Sequence, residues 1–117
     1  MNNYSNVISN LIRQYEKALT KQEEYEQTCR KKKMRLVHTK NIKILKDRLE
    51  CLKILIEYLS GSVSDYSRIK NIMNTLQEII TAEDKLQEYY NAATLESLRN
   101  DLKMIIGGWL LWKKIKW

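Results

Sequence analysis

The run Arg30-Lys31-Lys32-Lys33-Met34-Arg35 places five cations in six residues. Side chains so close repel one another unless an anion or water screens them. Phosphate backbones are the commonest partner of such a run, through charge attraction and counterion release. Lys40, Lys43 and Lys46 continue it at helical spacing, so Arg30, Lys31, Lys32, Lys33, Arg35, Lys40 and Lys43 form the candidate nucleic-acid-binding set. His38, the one histidine, falls on an apolar helical stripe, where a hydrogen-bonded structural role is expected. Cys29 and Cys51 have neither a disulfide framework nor metal-ligand spacing, and read as free thiols of a reducing compartment. There is no Glu-x-x-His pair, glycine-rich phosphate loop or zinc motif. Ser, Thr and Asp fall at loop and cap positions. The expectation is a protein that is not an enzyme and holds no metal or cofactor.

The charge is concentrated. The chain of 117 residues has 21 Lys+Arg against 14 Asp+Glu, a net charge of +7. Residues 30–60 alone carry ten basic and three acidic groups, which equals the whole excess. Folding does not require that asymmetry, so it bears on partners. Two structural explanations compete with nucleic-acid binding. The cations could serve only as a solvated helix end, and basic side chains suit the C-terminus of a first helix through the macrodipole.

The elements that must position these groups are helices. With three glycines and no proline the chain lacks the residues of a turn-rich β-protein. Apolar positions recur at alternating spacings of four and three in four stretches. The first holds Tyr4, Ile8, Leu11, Tyr15, Ala18, Gln22, Tyr25 and Cys29; the second holds His38, Ile42, Leu45, Leu49, Leu52, Ile56 and Leu59. The third runs from Ile69 through Ile72, Leu76, Ile79, Glu83 and Leu86 to Tyr90; the fourth runs from Leu95 to Trp112. The phase breaks predict one domain, an all-α antiparallel up-down four-helix bundle with helices at about 3–30, 36–59, 66–90 and 95–112, a turn between the first two being favoured over one kinked continuous helix. Ser60 to Asp65 is the clearest loop, with Ser64 or Asp65 as a cap, and Asn91-Ala92-Ala93-Thr94 is a second, with Thr94 as N-cap.

Two features exceed what a single bundle needs. Val37, Ile44, Cys51, Leu55 and Tyr58 form a second apolar stripe beside the first on helix two. The plain reading is a deeply buried helix; the alternative is a homo-oligomer interface. The last segment carries Gly107 and Gly108 inside a helical period, at about 1 kcal/mol each relative to alanine. That suits a close approach of another backbone or a bend. Trp109 and Trp112 keep the heptad spacing of a core, and Lys113, Lys114, Lys116 and Trp117 make a basic aromatic tip. The longest apolar run, Met104 to Trp112, falls short of the roughly 20 residues of a membrane span. The opening residues lack a signal peptide's pattern. A cytoplasmic protein without stable membrane insertion is expected.

The phrase Met104-Ile105-Ile106-Gly107-Gly108-Trp109-Leu110 resembles the closing I-G-x-W-I type signature of the Avd-like four-helix-bundle family. That family comprises the accessory variability proteins of diversity-generating retroelements and the related ribosomal RNA intervening-sequence proteins. Tyr15-Glu16-Lys17 and Arg30-Lys31-Lys32 are similar to the family's tyrosine-containing stretch and basic turn. Cys29 stands where the family often has proline, and Gly108 where a basic residue often follows the first glycine. The resemblance implies a basic homopentamer that binds RNA or DNA and partners a reverse transcriptase, supporting mutagenic cDNA synthesis from template RNA. By position it carries nucleic-acid contact onto Arg30 to Lys33 and Arg35, and a structural role onto Gly107, Gly108 and Trp109. The rival expectation is a protein-interaction bundle, such as an immunity protein or phage-encoded inhibitor, whose basic patch meets an acidic protein. A less favoured third is a peripheral membrane protein held by the tryptophan-rich end.

Overall fold

Four helices account for almost all of the chain. The computed structural model describes residues 3–61 and 66–116, with side chains for residues 4–61 and 66–108. The helices are α1 (Asn3–Thr28), α2 (Lys32–Leu59), α3 (Tyr66–Lys85) and α4 (Tyr89–Lys116), with no strand among the described residues. They pack as a four-helix bundle. Thr94 lies inside α4, and the expected caps Ser64 and Asp65 lie outside the described residues.

The stripes meet in one core. Ile8, Leu11, Leu52, Leu55, Ile69, Leu76, Ile79, Leu95, Leu98 and Leu102 are fully enclosed, so each helix contributes its heptad positions. The core is not centred along α1 and α2. No residue from Ile12 to Asn41 is buried. Over that stretch α1 and α2 cover one another only partly: Tyr15, Ala18, Gln22, Cys29 and His38 keep their stripe but are half-buried. Pairing with a single helix can hide only one side of a stripe. The longest extent of the molecule is 57 Å, more than the roughly 42 Å of a 28-residue helix. The helices are therefore staggered, and the α1–α2 turn rides on a two-helix stalk beyond the core.

The turn between α1 and α2 occupies residues 29–31 rather than 31–35. Lys31 is in extended conformation, φ −83° and ψ 122°. The turn uses no left-handed residue, the positive φ values being at Gln87 and Gly61. That is why it needs neither glycine nor proline. After α2 the chain turns at Gly61, φ 81°, whose N–H donates to Tyr58 O at 3.0 Å.

The α3–α4 connection departs most from expectation. The chain reverses at residues 86–88, and Asn91 to Thr94 belong to α4. Gln87 is left-handed, φ 62°. Its N–H donates to Asp84 O at 3.0 Å, and that of Glu88 to Glu83 O at 2.9 Å. This crossed pair is a Schellman ending. It usually takes glycine, so a glutamine at this position carries no local signal of it. Leu86 and Tyr90, placed on the third stripe by spacing, are exposed. Gln87→Gly is expected to stabilise the protein by about 1 kcal/mol, because a non-glycine residue is strained there. A urea melt measures it, and a loss of stability would contradict the assigned ending.

The glycine pair also behaves differently. α4 continues through Gly107 and Gly108, and a Cβ at either would meet no atom within 4 Å among the described residues. Among the described residues no helix backbone approaches closely there, and α4 does not end there. The expected core roles of Trp109 and Trp112, and the tip formed by Lys113, Lys114, Lys116 and Trp117, lie outside the described side chains. No helix among the described residues is long and apolar enough to cross a membrane.

Burial separates the two thiols. Cys51 is enclosed, its Sγ donating to Ile72 O at 3.8 Å, whereas Cys29 is half-buried at the turn. Burial, with the Glu78 carboxylate adding to it, pushes the Cys51 thiol up to about 12. Since the thiolate is the reactive form, a disulfide reagent at pH 8 should label one thiol in the native protein. The second should follow only in denaturant. Prompt labelling of both would place Cys51 outside the core.

Candidate nucleic-acid interface

The turn between α1 and α2 builds the charged tip from local bonds. Arg35 Nη2 donates to Cys29 O at 2.7 Å, tying the connecting turn to the first turn of α2. Cys29 Sγ donates to Lys31 O at 3.5 Å, and the single hydroxyl hydrogen of Thr39 has two acceptors within reach, Arg35 O and a Glu26 carboxylate oxygen. One step along the stalk, His38 Nδ1 donates to Gln22 Oε1 at 2.7 Å, which Asn41 Nδ2 also approaches at 3.5 Å. The His38 ring packs on Tyr25 with centroids 5.4 Å apart. His38 thus holds the two helices together, a structural use of the ring.

Arg30, Lys31, Lys32, Lys33, Arg35, Lys40 and Lys43 are all exposed. Two are partly engaged: Arg35 by the Cys29 carbonyl, and Lys43 by Asp47 at 3.6 Å. Arg30 and Lys31 form the turn, and Lys32, Lys33 and Arg35 begin α2. The macrodipole explanation therefore changes sign. The last turn of α1 has no basic residue, and the first turn of α2 has no acidic one. Lys31 sits at the N-cap with no side-chain capping bond, and Lys32 and Lys33 follow it. Cations at a helix N-terminus oppose the dipole, while its free N–H groups attract anions. The lysines cost stability where they stand, and an anion would relieve that cost.

The second stripe of α2 divides. Cys51 and Leu55 lie in the chain's own core, against α3 and its neighbours, and are withdrawn from any surface. Tyr58 is half-buried against the same core. Val37 and Ile44 are 47% and 45% exposed. The surplus apolar face is thus mostly the contact with α3, and only its N-terminal third stays open.

A buried polar cluster lies below the stalk. Glu83 is only 3% exposed and accepts from Asn91 Nδ2 at 2.9 Å. Tyr15 stands beside Arg48 and Glu83, and burial raises its hydroxyl above the ordinary tyrosine value. Arg48 Nε is buried with no hydrogen-bond partner among the described residues. Arg48 was legible in principle: it sits between Leu45 and Leu52 on the apolar sector of α2, as Glu83 sits in the stripe of α3. Opposite charges inside two apolar stripes signal burial together. Among the described residues no group of three His, Cys, Asp or Glu side chains gathers to hold a metal. No family model, curated protein or solved structure matches this chain.

Proposed function

We propose that this protein is a non-enzymatic accessory factor that binds the phosphate backbone of RNA or DNA through the tip of the α1–α2 stalk. The observation that carries it is the placement of Lys31, Lys32 and Lys33 at the start of α2, exposed and against the helix dipole. A solubilising charge would sit more stably elsewhere, so a bound anion is the natural reason for the arrangement. The Avd-like resemblance adds the second half of the proposal, a reverse transcriptase as protein partner. The antiparallel up-down order of the bundle is supported by contacts between successive helices: Gln22 and Glu26 meet His38 and Thr39, while Cys51 and Glu57 meet Ile72 and Arg68. The homopentamer that the resemblance implies stays part of the proposal: Cys51 and Leu55 are used internally, and the exposed Val37 and Ile44 are the positions of the expected interface left for such contacts.

Titration of fluorescent RNA and DNA oligonucleotides across a salt series tests the reading. Affinity should fall steeply with salt and show little base preference, since phosphates carry no sequence information. Absence of binding to both at low salt would overturn it.

A further inference from the structure

α2 engages α1 in the stalk through His38, Thr39 and Asn41. At about 100° per residue, Lys32, Lys33, Lys40 and Lys43 fall on the opposite side of α2, and all four are exposed. They form a ridge about 16 Å long that runs back from the tip. One continuous helix carries it, so the spacing of its charges is fixed. The ridge ends in a change of sign: Asp47 and Glu50 take the same side one turn on, with Asp47 3.6 Å from Lys43. Bases would find little to stack on beside these cations. Residues 26–57 contain no tyrosine, tryptophan or phenylalanine. The half-exposed ring of Tyr25, just before the run, packs on His38 with centroids 5.4 Å apart.

We infer that the tip and this ridge hold the phosphates of a duplex, RNA or DNA, in preference to a single strand; the inference rests on the nucleic-acid reading proposed above. Proteins that hold single strands without base preference combine cations with aromatic platforms, and each stacked base strengthens binding by about tenfold. Without such a platform only charge is left, and the duplex carries the denser charge, one per about 1.7 Å of its axis. A duplex also presents its phosphates as a stiff array, as the ridge presents its lysines. A flexible strand must first be ordered to match them, which weakens its binding. Each contact contributes about 0.9 to the log–log salt slope on a duplex against about 0.7 on a single strand, so five contacts part the slopes by about 1. The preference for duplex should therefore fade as salt rises. Beyond Lys43 the acids Asp47 and Glu50 repel phosphate and set the limit of the footprint.

Anisotropy with the full chain compares RNA and DNA duplexes of about 20 base pairs with uridine and thymidine strands of about 40 nucleotides, which match them in phosphate number. At about 50 mM salt each duplex should be held about tenfold more tightly than the single strand of its own sugar. Lys40→Ala with Lys43→Ala should weaken duplex binding at least about tenfold and flatten its salt slope by as much as about 1.8. Asp47→Lys, which carries the ridge one turn further, should tighten duplex binding several-fold. Tyr25→Leu should leave single-strand affinity unchanged; a fall would mean that bases stack there and would overturn the inference. Single strands held as tightly as duplexes would also overturn it and leave the nucleic-acid reading standing. Binding of neither form at low salt would overturn both.

Discussion

Changing Lys31, Lys32 and Lys33 together to alanine is expected to weaken RNA and DNA binding while making the protein slightly more stable. Each lysine that neutralises a phosphate contributes about 0.9 to the log–log salt slope on duplex DNA. Loss of three should flatten it by as much as about 2.7. The stability change has the opposite sign. The three residues occupy the N-cap and first turn of α2, where Lys31 makes no side-chain cap. A cation there opposes the dipole by about 0.3–1 kcal/mol, so the triple variant should gain about 1 kcal/mol in a urea melt at low salt. Adding salt should shrink that gain as the charges are screened. The paired result separates a binding surface from a structural one. An unchanged slope, or a protein made less stable, would return the lysines to the role of solvated surface charge.

The second large effect is expected at Glu83. Its carboxylate is buried, accepts from Asn91 on the first turn of α4, and stands with Arg48 beside Tyr15 of α1. Glu83→Ala leaves the Asn91 amide without its acceptor and removes the buried carboxylate from the cluster around Tyr15. Loss of one member of a buried charged set costs about 3 kcal/mol or more. Glu83→Gln keeps an acceptor for Asn91 but not the charge, and should cost less, about 1–2 kcal/mol. Urea unfolding of both variants, with the double variant Arg48→Met plus Glu83→Leu, gives the comparison. Apolar replacement of both charges should recover most of the loss, as often holds for buried ionic groups. A Glu83→Ala variant as stable as the parent would mean that the carboxylate is hydrated and outside the core.

Most of the helical content was legible because heptad spacing is a local property. Ile8, Leu11, Leu52, Leu76, Leu95 and Leu102 could be assigned to buried faces from their intervals alone, and they are enclosed. Errors arose where a local rule had two solutions. Glu83, Leu86 and Tyr90 keep the interval of a continuing helix, yet the chain reverses at Gln87. A left-handed residue that is not glycine is held there by the backbone bonds from Gln87 and Glu88, and no side chain announces them. The basic run carried a similar ambiguity. Moving the turn from 31–35 to 29–31 transfers the cations from the end of one helix to the start of the next. The dipole then changes from a reason for their presence into a cost.

The sequence by itself determined an all-helical chain, the faces that must be hidden, and the charge concentrated between residues 30 and 60. Periodicity and charge are written residue by residue, and no folding is needed to read them. Only the tertiary structure decided which partner hides each face. The second stripe of α2 looks uniform in sequence, but α3 covers Cys51 and Leu55 and leaves Val37 and Ile44 open. That division depends on the stagger of the helices, which global packing sets and no interval along the chain records. The same stagger carries Arg30 to Arg35 beyond the core, so that a run of like charges becomes an exposed tip.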